Sequence, residues 1–177
     1  MCVLLIKPKG ERLPSYNTLK ACYEANPHGC GYVSTRSSYK SLDFEDFYRH
    51  ILRVTPDEKC MIHFRLATHG SVRKGNCHPF RDGNVWFAHN GILPIISTHD
   101  RTDSEIAFRT IIMPKIKKFG FNSREMIDAC NDIRGASRFA IFDRTSNKIL
   151  TLGNFVERAG IFYSNLNFTY YERKYAW

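Results

Sequence analysis

The sequence predicts an α+β layered sandwich, on three observations. Apolar runs of strand length gather toward both ends of the chain, and segments of helix length lie among them. No repeat, low-complexity tract or linker divides the 177 residues. A chain of that length buries one core comfortably, so a single domain over residues 1–177 is expected.

The elements follow in order. A first strand is expected at residues 2–6, "CVLLI", ended by Lys7 and Pro8. A helix at 15–26 and a strand at 30–35, "CGYVST", come next, then a helix at 43–54. Strands are expected at 59–68, "KCMIHFRLAT", and at 84–90, "NVWFAHN". The helix at 103–119 has a capping box in Thr102 and Glu105 and a stop in Gly120, with Pro114 as a place to kink or end early. A helix at 123–133 leads to strands at 137–143 and 148–152, joined by the hairpin turn "DRTSNK" at 143–148. A last strand is expected at 160–165, "GIFYSN", and the aromatic and basic tail after it is expected to pack on the domain.

Composition excludes several classes of protein. A chain that is 43% hydrophobic and 14% aromatic folds rather than staying disordered. The first apolar run is too short for a signal peptide and no run has membrane-spanning length, so a soluble, cytoplasmic protein is expected. Six cysteines without a CxxC pair argue against a zinc ribbon or a thioredoxin-like centre, and most are expected to be small buried hydrophobes. The net charge of +9 is spread along the chain, with no tract denser than "PKIKK" at 114–118. It reads as a mildly basic, soluble surface rather than a nucleic-acid interface.

Polar groups concentrate in three segments on or beside expected strands: "HFRLATHG" at 63–70, "FAHNG" at 87–91 and "RTDSE" at 101–105. Arg65 has an ordinary role as an outward-facing strand residue, and a functional one as a planar fork that grips a carboxylate through two hydrogen bonds. Thr68 and His69, with Gly70 for the turn, would complete that wall. Asn90-Gly91 reads as a hairpin turn, yet a side-chain amide and a backbone N–H held together at a turn also point two donors at a developing oxyanion. Asp103 is explained as a helix start, and a carboxylate there also suits an ammonium. Although His63 and His69 share a strand face, no carboxylate or cysteine joins His63, His69, His78 and His89 at ligand spacing, so no metal is expected.

Cys2 supplies the reacting group. Once Met1 is removed, Cys2 carries a free α-amine, with an ordinary pKa of about 7.7–8.0, beside a thiol near about 8.5. The amine can then act as general base for its own side chain.

This set of segments resembles the class II glutamine amidotransferase domain of the N-terminal nucleophile (Ntn) hydrolase superfamily. The matching pieces are Met1-Cys2, "NPHGCGYV" at 26–33, "RLATHG" at 65–70, "NCHPF" at 76–80, "AHNG" at 88–91, "TDSE" at 102–105 and "GASRFAIFD" at 135–143, in the family's order and covering the chain to about residue 165. The resemblance implies a four-layer αββα sandwich of two mainly antiparallel sheets. In it Cys2 attacks the side-chain amide of glutamine, releases ammonia and forms a γ-glutamyl thioester that water hydrolyses. It assigns the oxyanion hole to Asn90 and Gly91, the substrate carboxylate to Arg65, Thr68 and His69, and the substrate ammonium to Asp103. No cofactor is implied.

Three departures stand out: Leu66 where the family usually has an aromatic residue, Cys77 where serine is common, and a short stretch from Gly91 to Asp103. Relatives that use the ammonia carry a synthase domain after this one, whereas only "NFTYYERKYAW" follows the last expected strand here. A separate synthase subunit is therefore the expected partner for a stand-alone glutaminase. Two other readings stay open: a hydrolase of a different γ-glutamyl amide, and an inactive basic binding protein on the same fold.

Overall fold

All five residues of β1 (Val3–Lys7) are buried, which a strand achieves inside a sheet covered on both faces. β1 pairs antiparallel with β4 (Cys60–Phe64), from Val3↔Phe64 to Lys7↔Cys60, and on its other side with β10 (Ile161–Tyr163). In the computed structural model, which describes residues 1–67 and 70–175, three more strands extend this sheet. They are β2 (Cys30–Ser34), β3 (Ser38–Ser41) and β9 (Val156–Arg158), and the order is β3-β2-β4-β1-β10-β9. A second sheet takes β5 (Phe80–Asp82), β6 (Val85–Asn90), β7 (Arg138–Asp143) and β8 (Lys148–Leu152) in chain order. Every pairing in both sheets is antiparallel.

The two-residue alternation of strands sorts the side chains into layers. Leu4, Ile6, Val33 and Met61 of the first sheet meet Trp86, Ala88, Ala140 and Phe142 of the second in one apolar layer. The alternate residues Val3, Leu5, Ile62 and Phe64 pack with Leu19 and Cys22 of α1 (Tyr16–Ala25) and Phe44, Phe47 and Ile51 of α2 (Phe44–Ile51). On the far side, Phe87, Phe139 and Ile141 pack with Ala107, Phe108, Ile112, Met126 and Cys130. The result is the four-layer αββα sandwich of two antiparallel sheets.

Each expected helix begins on a side-chain cap. Ser15, Asp43, Thr102 and Ser123 accept hydrogen bonds from the backbone N–H three residues on. The segment at 103–119 is α3 (Asp103–Ala107), a π-helical turn (Phe108–Ile112) and α4 (Met113–Phe119) in one run. Pro114, expected to kink or end the helix, sits in the first turn of α4, directly after the widened turn. There its missing N–H breaks no α-helical bond. α5 (Arg124–Arg134) follows.

Three strands escaped the sequence pattern: β3, β5 and β9 read "SYKS", "FRD" and "VER". All three are sheet edges, where polar residues belong and apolar alternation is lost. The tail packs on the domain as expected: Phe168 is fully buried, and Glu172 of α6 (Thr169–Glu172) accepts from Thr18 at 2.6 Å and from Arg158 at 2.7 Å. Trp177, its last residue, lies outside the described residues. No described helix is long and apolar enough to cross a membrane.

A lysine stands among the buried residues at the end of β1. Lys7 is fully buried, and its ammonium donates to the carbonyls of Pro8 (3.1 Å), Pro56 (3.1 Å) and Glu58 (2.5 Å). Burial lowers its pKa from the ordinary lysine value.

Phe142→Ala, which opens a void in the layer between the sheets, is expected to cost about 3–5 kcal/mol of stability. Leu52→Ala, at a side chain 57% exposed, is expected to change it by less than about 0.5 kcal/mol. Urea unfolding midpoints at constant slope check both.

Candidate active site

Cys2 sits one residue before β1, beside the point where the chain leaves β4. Val3 pairs with Phe64, so Cys2 lies against the segment that starts at Arg65. Its Sγ accepts from the Leu66 N–H at 3.2 Å and lies 3.4 Å from the Leu66 carbonyl. The Cys2 carbonyl accepts from the Asn165 side chain at 2.8 Å, which fixes the backbone at Cys2. Burial pushes the thiol pKa up, while the Leu66 N–H, the chain's terminal ammonium and Arg65 pull it partly back. The other five cysteines are buried free thiols.

Asn90 and Gly91 come from the second sheet. Asn90 ends β6 on the same face as Trp86 and Ala88, so its side chain points at the first sheet. Its amide donates to Ser164 Oγ at 2.7 Å, and that same oxygen accepts from the Leu4 N–H at 2.9 Å. Ser164 therefore ties Asn90 to the strand that carries Cys2. Gly91 has φ +145°, and a Cβ placed there would lie 2.1 Å from Ser137 Oγ. Both conformation and space demand glycine. The hairpin expected of Asn-Gly does not form: β6 ends at Asn90, and Gly91 opens a loop that runs to α3.

Arg65 is one residue past β4 and only 3% exposed, so it is not an outward-facing strand residue. Its backbone N–H donates to Gly29 and its carbonyl accepts from His28, which continues the sheet pattern one step further. The guanidinium donates to the carbonyls of Ser71 at 3.0 Å and Gly70 at 3.5 Å. Asp103 opens α3, with Oδ1 accepting from the Ser104 N–H at 2.7 Å. Its Oδ2 accepts from the Leu93 N–H at 2.9 Å, which holds the loop after Gly91 onto the helix.

Cys2, Arg65, Leu66, Gly91 and Asp103 border one narrow space of about 30 Å³. A wider cleft of about 410 Å³ adjoins it and shares Cys2, Leu66 and Gly91, with Asn90 in its wall. Of the residues singled out in sequence, Cys2, Arg65, Asn90, Gly91 and Asp103 are thus brought together. Thr68 and His69 lie outside the described residues. Sequence reasoning passed over Ser164, Asn165, Ser137 and the Leu66 amide. The one available signal was "SN" at 164–165, two polar residues closing an otherwise apolar strand.

Three histidines form a buried cluster at this space, with His78 and His89 in its lining. The His63 and His78 rings are 4.3 Å apart between centroids, His63 Nε2 lies 3.1 Å from the His89 carbonyl, and His89 Nδ1 shares a 2.8 Å hydrogen bond with Ser104 Oγ. Among the described residues no three histidine, cysteine or acidic side chains are placed to hold a metal ion. Burial keeps all three rings neutral, with the pKa lowered to about 3 for His63, to about 4 for His89 and well below the usual value for His78.

The unfolded chain takes up those protons near the ordinary histidine pKa of about 6.5. Stability from these neutral rings is therefore complete above that pH and lost as pH falls below it, by about 1.4 kcal/mol per pH unit for each ring. Thermal unfolding followed from pH 7.5 to pH 5 is expected to show the melting temperature dropping on the acid side, with a shallower drop in His78→Phe.

Residues 50–138 match the family model described as "Glutamine amidotransferases class-II". No curated protein sequence matches the chain. Among solved structures, the chain is similar to the glutamine phosphoribosylpyrophosphate amidotransferase of B. subtilis in complex with ADP and GMP, at 18% identity and a TM-score of 0.60. The match covers 92% of this chain and 41% of that one, so the two share the fold over less than half of the larger protein.

Proposed function

We propose that this chain, which belongs to the class-II glutamine amidotransferases, is a glutaminase that uses Cys2 as an N-terminal nucleophile. The observation that carries this reading is the shared space: Cys2, Gly91, Arg65 and Asp103 all border it.

Removal of Met1 exposes the Cys2 α-amine. Because burial holds the thiol in its neutral form, a base must take the proton as attack begins, and the amine on the same residue is in place to do so. The sulfur adds to the amide carbon of glutamine. The oxyanion that develops takes a hydrogen bond from the Gly91 N–H and another from the Asn90 amide, whose second N–H is committed to Ser164. Collapse breaks the C–N bond and passes the amine's proton to the departing nitrogen, which leaves as ammonia. Water then cleaves the γ-glutamyl thioester, giving glutamate and restoring the thiol.

Arg65, with Thr68 and His69, binds the α-carboxylate, and Asp103 binds the α-ammonium. A zwitterion held at both ends is oriented before it reacts. The space between these groups is narrow, about 30 Å³. No cofactor enters the reaction. One domain over residues 1–177 supplies it, in a reducing cytoplasm that keeps Cys2 a thiol, and the ammonia passes to a separate synthase subunit.

Protein whose intact mass verifies a free Cys2 is expected to release glutamate from glutamine. Cys2→Ala abolishes that release. Asn90→Ala lowers kcat about 10²–10³-fold. Asp103→Asn raises KM about tenfold and moves kcat less. Absence of any turnover by the verified protein would overturn the reading.

A further inference from the structure

The nucleophile lies between two spaces of very different size. On one side the narrow space carries Arg65 and Asp103, the charged pair that suits an amino-acid head. The cleft of about 410 Å³ on the other side is built from Leu66, Ile92, Pro94, Ile133 and Ala136. If the amino-acid head occupies the first space, the group that departs from the acyl carbon faces the second. Ammonia is about the size of one water and needs no such room. A volume of this order is that of a small-molecule site.

Two of the charged residues around the cleft are hydrogen-bonded to neighbouring groups, and a third, Asp132, lines it at an exposed position. Arg134 donates to Asn131 at 2.7 Å and to the Gly135 carbonyl at 3.1 Å, and Arg138 donates to the carbonyls of Asn154 and Ala136 at 3.3 Å each. Between these polar groups the wall of the cleft is mostly hydrocarbon. Met1 forms part of this wall.

We infer that, besides glutamine, the site takes N-substituted γ-glutamyl amides, in which the amide nitrogen carries an apolar aryl or alkyl group that fills this cleft. The inference rests on the proposed role of Cys2. The thiol adds to the γ-carbonyl, its proton passes through the α-amine to the amide nitrogen, and the C–N bond breaks to release a primary amine in place of ammonia. Water then hydrolyses the same thioester. The apolar substituent contributes binding in proportion to the area it buries, which unsubstituted glutamine lacks.

The test compares γ-glutamyl-p-nitroanilide with glutamine on the full chain, with free Cys2 verified by mass. Both compounds are expected to be turned over. Ala136→Trp, at an exposed position where the larger side chain fills the cleft without disturbing the core, lowers the ratio of kcat/KM for the anilide to that for glutamine at least fivefold. Turnover of glutamine without turnover of the anilide, or a ratio unmoved by Ala136→Trp, overturns this inference and leaves the glutaminase reading standing. Turnover of neither compound overturns both.

Discussion

The apolar layer between the two sheets is the constraint on which the site depends. Cys2 and Arg65 belong to the six-stranded sheet, whereas Asn90, Gly91 and Asp103 belong to the four-stranded sheet and the helix behind it. Nothing covalent fixes these halves at working distance. The separation is set by Leu4, Ile6, Val33 and Met61 packing on Trp86, Ala88, Ala140 and Phe142, each large side chain worth roughly 1.5–3 kcal/mol of burial. Close-packed interiors do not deform smoothly, so a change in this layer reaches the site as a displacement, and geometry at a reacting centre tolerates little of that.

Polar links then refine what packing has positioned. Ser164 joins Asn90 to the backbone of Leu4, and Asn165 holds the carbonyl of Cys2. Both residues stand just past β10, which lies beside β1 and so meets Cys2 from the side opposite Leu66. The thiol is thus gripped by the strand ends on both its flanks. The neutral histidines at the narrow space add bulk and hydrogen bonds without adding charge next to Arg65.

Much of this was legible in the sequence, and the exceptions have physical causes. Strands with one or two buried faces show in the pattern of apolar residues, as β1, β4, β6 and β7 do. The edge strands β3, β5 and β9 are polar for the reason that makes them edges, and the same polarity hides them. Arg65 stood out as a charge inside an apolar strand run, Gly91 at a turn signal and Asp103 at a helix start. Ser164 and the Leu66 amide did not, because one acts across 160 residues of chain and the other acts through a backbone group that every residue but proline owns. Asn90-Gly91 was ambiguous for a related reason: a tight turn and a pair of convergent donors ask for the same two residues.

Lys7, at the opposite end of β1 from the nucleophile, gives that strand a second meaning. An ammonium enclosed by three carbonyls is satisfied in one strand alignment alone. Sliding β1 by one residue against β4 would draw the charge out of its cage into hydrocarbon, and it would carry Cys2 about 3.3 Å along the sheet, away from Leu66. Such a slip would also turn every side chain of β1 to the opposite face of the sheet. The buried cation acts as an index pin: a charge with no part in the chemistry fixes where the thiol stands at the far end of the strand.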